Sequence, residues 1–504
     1  MIPRCSSICT AAEGYKRVTF GYSPAFRASI QCRMQTANRI LLALLGVSVL
    51  SIASAPAFTV DPPSQNRSSL VRLRGPSFGA TQGTVAIAGL PVPIAHWDDS
   101  LIECYVPEGA PLGKAAVVVT PPRKSHIRPL KARMTVLARE IAGGRVKWRL
   151  KLADQYVPAR PVVGPDGTIY AMGNFGHVYA ANPDGSLRWV VSPVGGVSGA
   201  MGILPNGNLI VGGGGGVQAL SPVDGSTLWT FSIVTPLLAG PSVGPDGNVY
   251  AADDSRWSQD VIGAFILSPE GQLLWSGGKY YRRGGGWTPQ EVKFGGGNAY
   301  FWSDYSSTGD PEVLGGLNAL HLGGGLFWRV EDGVGILPDS NPNGDVVLFR
   351  PSNIEMHNAS NATIWSKDLN IFGGQPQVEA VLASDGRTYF TTTTAKLHAI
   401  SPTGEILYSK LIGGIVSNHI VRPDANQIAL QYQPNFGIPA QIHGYDKGAN
   451  LLWSQELPIE FGMTIVCYNL MEYDATGNTL YFGTAGPYTS TFEAHSYLYA
   501  LDAQ

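Results

Sequence analysis

Charge is scarce in this 504-residue sequence. Only 14% of residues are charged, and 35 basic against 37 acidic side chains leave a formal net charge of −2. So small and balanced a charge gives no electrostatic footprint for nucleic acid or an anionic membrane. Cysteine is equally rare, at five in all. Cys5, Cys9 and Cys32 lie ahead of the one long apolar run, leaving Cys104 and Cys467, which are too few and too distant for a disulfide framework. Two separately buried thiols are expected, with a single bridge as the alternative. The apolar run itself is shorter than the ~20 residues of a membrane-spanning helix. Helix formers are few, whereas glycine (62) and proline (36) make up nearly a fifth of the chain. These two residues disfavour helix interiors by ~1 and ~3 kcal/mol. Aromatics are plentiful (11 Trp, 21 Tyr, 17 Phe), which excludes a disordered linker protein. What remains is an all-β chain of strands joined by tight turns.

The apolar run covers 40–55, follows Arg33 and Arg39, and ends in Ala55-Pro56-Ala57, a small-x-small cleavage pattern. It reads as a secretory signal, with an uncleaved anchor as the alternative. Residues 1–57 are then a leader extension and signal peptide, with Met34 competing with Met1 as the start. The mature chain is expected to lack a transmembrane span and to be extracytoplasmic: periplasmic, at the cell surface or secreted.

Residues 58–122 alternate short apolar runs with turn signals, the pattern of a small β-sandwich. They carry Gly75-Pro76-Ser77-Phe78-Gly79, Gly83, His96-Trp97-Asp98-Asp99, Val106-Pro107-Glu108-Gly109-Ala110 and Gly113 in that order. This order resembles the IPT/TIG immunoglobulin-like domain, which implies a protein-binding or spacer role. The family's first strand is weak here, because 61–67 is polar and contains proline, so a truncated domain is expected. Residues 123–142 read as a linker.

From 143 to 504 the chain repeats itself. An aromatic closes an apolar strand at Trp148, Trp189, Trp229, Trp275, Trp328, Trp365, Tyr408 and Trp453. Turns of the type Pro165-Asp166-Gly167, Pro183-Asp184-Gly185 and Pro245-Asp246-Gly247 separate the strands. Proline presets φ and glycine supplies positive φ, so each is a hairpin turn. Four strands in roughly 40 residues make one propeller blade. The first aromatic-closed strand, 145–150, has no inner strands before it, while the last unit ends without an outer strand. Pairing the two closes an eight-bladed ring with no free edge. The repeats resemble the pyrroloquinoline-quinone-like (PQQ-like) propeller family, most closely from Asp166-Gly167-Thr168-Ile169-Tyr170 to Trp189 and from Asp246-Gly247-Asn248-Val249-Tyr250 to Trp275. That family holds quinoprotein dehydrogenases as well as non-enzymatic scaffolds.

The resemblance to the dehydrogenases implies an adjacent-cysteine pair and a carboxylate-held Ca²⁺ beside the quinone. The sequence has no Cys-Cys pair, so no catalytic residue and no cofactor are assigned. PQQ and Ca²⁺ belong only to the alternative reading, a quinoprotein dehydrogenase. Asp339, Asn341, Asn343 and Asp345, with Gly344, half match a calcium loop, but Arg350 stands where the bidentate Glu is needed. A polar hairpin turn explains them as well. The glycine run 212–216 lacks the Lys-Ser/Thr of a phosphate loop and reads as a close approach of backbones.

Loop length is asymmetric. Counting strands outward from the channel, the connections from second to third strand and from outer to next inner strand share one rim. The long segments 253–260, 277–289, 303–312, 433–440 and 486–496 fall there. Segment 277–289 carries Tyr280, Tyr281, Arg282, Arg283 and Trp287, residue types enriched at binding hot spots. Long loops on a rigid scaffold are where binding tends to reside. The expected function is an exported, non-enzymatic binding or scaffolding protein whose rim recognises an envelope or extracellular protein or glycan. A surface adhesin or polysaccharide binder is a further alternative.

Overall fold

A computed structural model describes residues 58–122, 128–140, 142–193, 200–213, 215–254, 262–280, 291–303, 316–331, 339–414, 416–432, 439–460, 463–464, 471–485 and 496–504. Its regular structure is strand throughout, apart from one 3₁₀ turn at Leu369–Phe372.

The amino-terminal domain is two sheets around one core. Strand Thr59–Asp61 pairs with Leu70–Arg74, which pairs with Leu101–Tyr105 and then Ile94–Trp97. The facing sheet runs Ser64–Asn66, Leu130–Leu137, Gly113–Thr120, Thr84–Ile87 and Leu90–Pro91. Val71, Leu73, Phe78, Ile87, Ile102, Cys104, Val117 and Met134 fill the space between them. Two expectations are corrected. The stretch expected to hold only a weak first strand forms two short strands, Thr59–Asp61 and Ser64–Asn66, one on each sheet, either side of Pro62-Pro63. The stretch 123–142 is also not all linker, because Leu130–Leu137 pairs antiparallel with Gly113–Thr120, Lys114 opposite Thr135. Ala132, Met134 and Val136 point inward while Lys131 and Arg133 point to solvent. This is the period-two alternation of a half-buried strand.

Among the described residues the remainder forms eight four-stranded antiparallel sheets and one two-stranded ladder, Ile459–Glu460 with Met463–Thr464. Sheet 1 is Val162–Val163, Ile169–Met172, Val178–Ala181 and Leu187–Val191, inner to outer, and sheets 2 to 7 follow in chain order. In the last sheet Val146–Lys151 lies beside Tyr497–Asp502, with Trp148 opposite Ala500. Thr479–Gly483 and Glu472–Tyr473 complete it. The earliest strand of this region thus docks on the latest, as the repeat arithmetic requires.

Each Trp or Tyr that closes an outer strand follows a bulge. In all eight sheets one residue is skipped in the ladder just before the aromatic: Lys147, Arg188, Leu228, Leu274, Phe327, Ile364, Leu407 and Leu452. The extra residue bends the strand and turns the indole toward the neighbouring sheet. Trp189 Nε1 donates to the Pro222 carbonyl at 3.1 Å, Trp229 to Pro269 at 3.0 Å and Trp328 to Ala359 at 2.8 Å. Two glycines of the run 212–216 approach neighbouring groups closely: a Cβ on Gly212 would meet Pro241 Cδ at 2.3 Å, and one on Gly216 the Phe231 carbonyl oxygen at 2.1 Å.

Candidate functional site

Inner strands in a propeller converge on the channel, and here they bring charge with them. Arg160 precedes the inner strand of sheet 1, Glu291 and Lys293 open that of sheet 4, and Asp339 that of sheet 5. Glu379 precedes the inner strand of sheet 6, and Glu472 starts that of the last sheet. All six sit where the chain enters the inner strand, on the rim that also carries the connections from outer to inner strands.

Five of the side chains, all but Glu379, form one chain of ion pairs. Arg160 lies 3.0 Å from Glu291 and donates through Nη1 to Glu472 at 3.2 Å. Lys293 Nζ donates to Glu291 at 2.9 Å and lies 3.7 Å from Asp339. Asp339 Oδ2 in turn accepts the Leu382 N–H at 2.8 Å. Between these groups is a cavity of about 280 Å³, lined also by His419, Arg422 and Tyr473.

Four carboxylates share two cations, so their ionisation diverges. Burial works against the Glu291 charge, but Arg160 and Lys293 on either side pull its carboxyl down to about 2. Burial raises Glu379, and no ion pair to it is found among the described residues; Lys293 and Arg160 offset the rise only from a distance. Glu472 is likewise raised by burial, which outweighs its contact with Arg160. His419 is buried and makes no hydrogen bond through either ring nitrogen. Burial holds it down to about 4, against a smaller opposing pull from the Tyr389 backbone, so it is neutral near pH 7.

The cavity is lined by three acids, Asp339, Glu379 and Glu472, and three bases, Arg160, Lys293 and Arg422, and two of the bases, Arg160 and Lys293, are engaged with Glu291, Glu472 and Asp339 at 2.9–3.7 Å.

The residues singled out by sequence are distributed differently. Tyr280 is buried at 1% exposure, its ring edge-on to Phe301 at 4.9 Å between centroids, so it is a packing residue and not a rim contact. Tyr281, Arg282, Arg283 and Trp287 lie outside the described residues. The half calcium loop does not gather its oxygens around one point. Asn341 Oδ1 accepts the Asn343 and Asp345 N–H groups at 3.0 Å each, its amide donates to Asp345, and Asp339 faces Leu382 and Lys293. The four residues therefore form a self-capped hairpin turn. Among the described residues no group of three His, Cys, Asp or Glu is placed to hold a metal ion. Cys104 is a free thiol in the sandwich core, pushed up to about 12 by burial, and Cys467 lies outside the described residues. The charged cluster was missed in the sequence, although in a chain this poor in charge, ionisable residues at inner-strand entries are themselves a signal.

The family model described as "Outer membrane protein assembly factor BamB" matches residues 132–285. The matched stretch runs from the sandwich strand Leu130–Leu137 through sheets 1 to 3. Among solved structures, the chain is similar to BamB from Moraxella catarrhalis at 15% identity, covering 71% of this chain and 97% of that one, with a TM-score of 0.49. It is similar to the C-terminal WD40 domain of Sif2 at 10% identity, covering 72% and 100%, with a TM-score of 0.50. Dihydro-heme d1 dehydrogenase NirN matches at 12% identity over 68% and 71%, with a TM-score of 0.43. No curated protein matches the sequence. Likeness at this identity establishes the propeller fold and leaves activity open. Among the described residues no helix is long and apolar enough to cross a membrane.

Proposed function

We propose that this chain is an extracytoplasmic, non-enzymatic scaffold: an eight-bladed propeller carrying an immunoglobulin-like sandwich and binding a protein segment at one rim, without a cofactor. The observation that carries this reading is the ion-pair cluster. Its charges are spent chiefly on one another across sheets 1, 4, 5 and the last, which suits holding a ring rigid more than acting on a substrate. Glu379 and Glu472, whose carboxyls burial raises, share the mouth with Arg160, Lys293 and Arg422. The segment bearing Tyr281, Arg282, Arg283 and Trp287 lies in the sequence between the outer strand Leu273–Gly277 and the inner strand beginning at Lys293. The match to an assembly-factor model over 132–285 agrees with a protein partner.

The test is site-specific photo-crosslinking in the native envelope. A photoreactive residue at 281 or 287 is expected to yield a discrete protein adduct that the same residue at 407 or 452, on the outer edge, does not. Equal labelling at all four positions overturns the rim assignment. Dye reduction by the purified chain supplied with quinone and Ca²⁺ overturns the non-enzymatic reading.

A further inference from the structure

Sandwich and propeller meet at a buried histidine. His177 sits at the turn between the second and third strands of sheet 1 and is 7% exposed. Its Nδ1 lies 2.8 Å from Asp154 Oδ2, and its Nε2 lies 2.7 Å from the carbonyl oxygen of Ala95, in the sandwich strand Ile94–Trp97.

Both partners are acceptors. A backbone carbonyl has no proton to give. Asp154, wholly buried, already receives Phe175 N–H on Oδ1 at 2.5 Å and Tyr179 O–H on Oδ2 at 2.6 Å. Tyr179 is committed to that direction, because its oxygen accepts the Ala153 N–H at 2.9 Å. A neutral imidazole offers one donor and one acceptor; only the imidazolium donates from both nitrogens.

We infer that His177 is an imidazolium staple between the two domains, and that the docking of the sandwich on the propeller weakens as this proton is lost. Without the proton, one ring nitrogen presents a lone pair to an acceptor under 3 Å away, in a site closed to water. The other titratable and charged groups facing it do not supply a substitute. Tyr179 and Tyr105 have their pKa values raised well above the usual phenol range by burial and so stay neutral, and Glu103 is paired with Arg72 at 2.7 Å. Burial alone would lower the His177 pKa; the Asp154 carboxylate and then the Ala95 carbonyl reverse this and raise it above the 6.5 of a free histidine. A raised folded pKa means the stabilisation is full below about pH 6.5 and is lost as pH climbs through the raised value.

The rest of the contact is made by other groups. Tyr105 O–H donates to the Lys151 carbonyl at 2.9 Å, Leu187 N–H to Ser68 Oγ at 3.2 Å, and Arg139 pairs with Asp184 at 3.1 Å. His177 is therefore a positioning residue whose charge sets how firmly the sandwich is held.

Two measurements on the intact chain test this. In ¹⁵N-histidine-labelled protein at pH 6, both His177 nitrogens should be protonated, with the signal assigned by its absence in His177→Gln. Hydrogen exchange at Leu187 and Tyr105, corrected for intrinsic rate, should quicken about tenfold between pH 6 and 9, with exchange in propeller sheets 2 to 7 unchanged. His177→Gln should exchange at the faster rate at both pH values. A neutral tautomer at pH 6, or the same pH step in His177→Gln, overturns the proposal. The resonance measurement stands on wild-type protein should the variant fail to fold, its assignment then resting on Ala95→Gly, which alters only the contact region.

Discussion

Trp148 Nε1 donates to the carbonyl of Pro183 at 2.9 Å, across the seam where the ring closes. The indole belongs to the last sheet and the carbonyl to the outer turn of sheet 1. The same ring lies beneath Gly185, whose φ is +82°, and a Cβ there would meet Trp148 Cγ at 2.4 Å. One aromatic thus covers the joint between the two ends of the circle.

Removing it should be costly. Trp148→Ala deletes a side chain that is 5% exposed and leaves a cavity at the seam, with an expected loss of about 3–5 kcal/mol. Gly185→Ala should destabilise too, because the methyl group has no space and the backbone is left-handed. Chemical denaturation of both variants checks this; an unchanged midpoint in either contradicts the seam.

The channel cluster makes opposite predictions for its members. Arg160→Ala strands Glu291 and Glu472 together and should cost roughly 2–3 kcal/mol, less than the ~3–5 of a fully buried pair because the guanidinium keeps partial contact with solvent. Glu379→Gln removes a carboxylate that burial disfavours and should raise the melting temperature near pH 7. Calorimetry decides, and a lower melting temperature for Glu379→Gln would show that this group is paired after all.

The same groups fix the shape of the acid limb. Glu379 and Glu472 have raised pKa values, so on acidification the folded state takes up their protons before the unfolded chain does, and stability rises toward pH 4.5. Glu291 has the opposite shift, from 4.5 to about 2, so its contribution is present above pH 4.5 and is lost as pH falls toward 2. Melting temperature against pH should therefore pass through a maximum in mild acid, and Glu291→Gln should flatten the fall below it.

Partner capture should depend on the connecting segment and not on the outer edge. Tyr281→Ala, Arg283→Ala and Trp287→Ala combined should lower affinity for the crosslinked partner at least tenfold with an unchanged melting temperature. Binding measured on purified components checks this, and retained affinity would exclude the segment.

Strand architecture was legible because its punctuation is local. Pro-Asp-Gly turns and strand-closing aromatics recur within one blade, and the unmatched first and last strands announce their pairing. The sandwich strand Leu130–Leu137 escaped because its inward residues, Ala132, Met134 and Val136, alternate with Lys131 and Arg133 and make no apolar run. Tyr280 misled for a related reason: an aromatic in a polar segment serves packing as readily as recognition, and only Phe301 at its edge decides. The charged cluster was hidden by separation. Arg160 and Glu472 are 312 residues apart, and each reads as an isolated surface charge. His177 and Ala95, 82 residues apart in different domains, share no pattern that a sequence displays.

The bulges ahead of the strand-closing aromatics also bear on how the molecule behaves in company. An outermost strand offers unpaired amides and carbonyls to any passing chain, and repeating that offer around a rosette would invite fibre growth. Here every such border is interrupted at the same height by its skipped residue, so a would-be recruit loses alignment where it would need to settle. The protein can therefore leave Leu228, Leu274, Phe327, Ile364, Leu407 and Leu452 at this interruption, with Leu228, Leu274, Phe327, Ile364, Leu407 and Leu452 each at least 40% exposed, without seeding its own polymer.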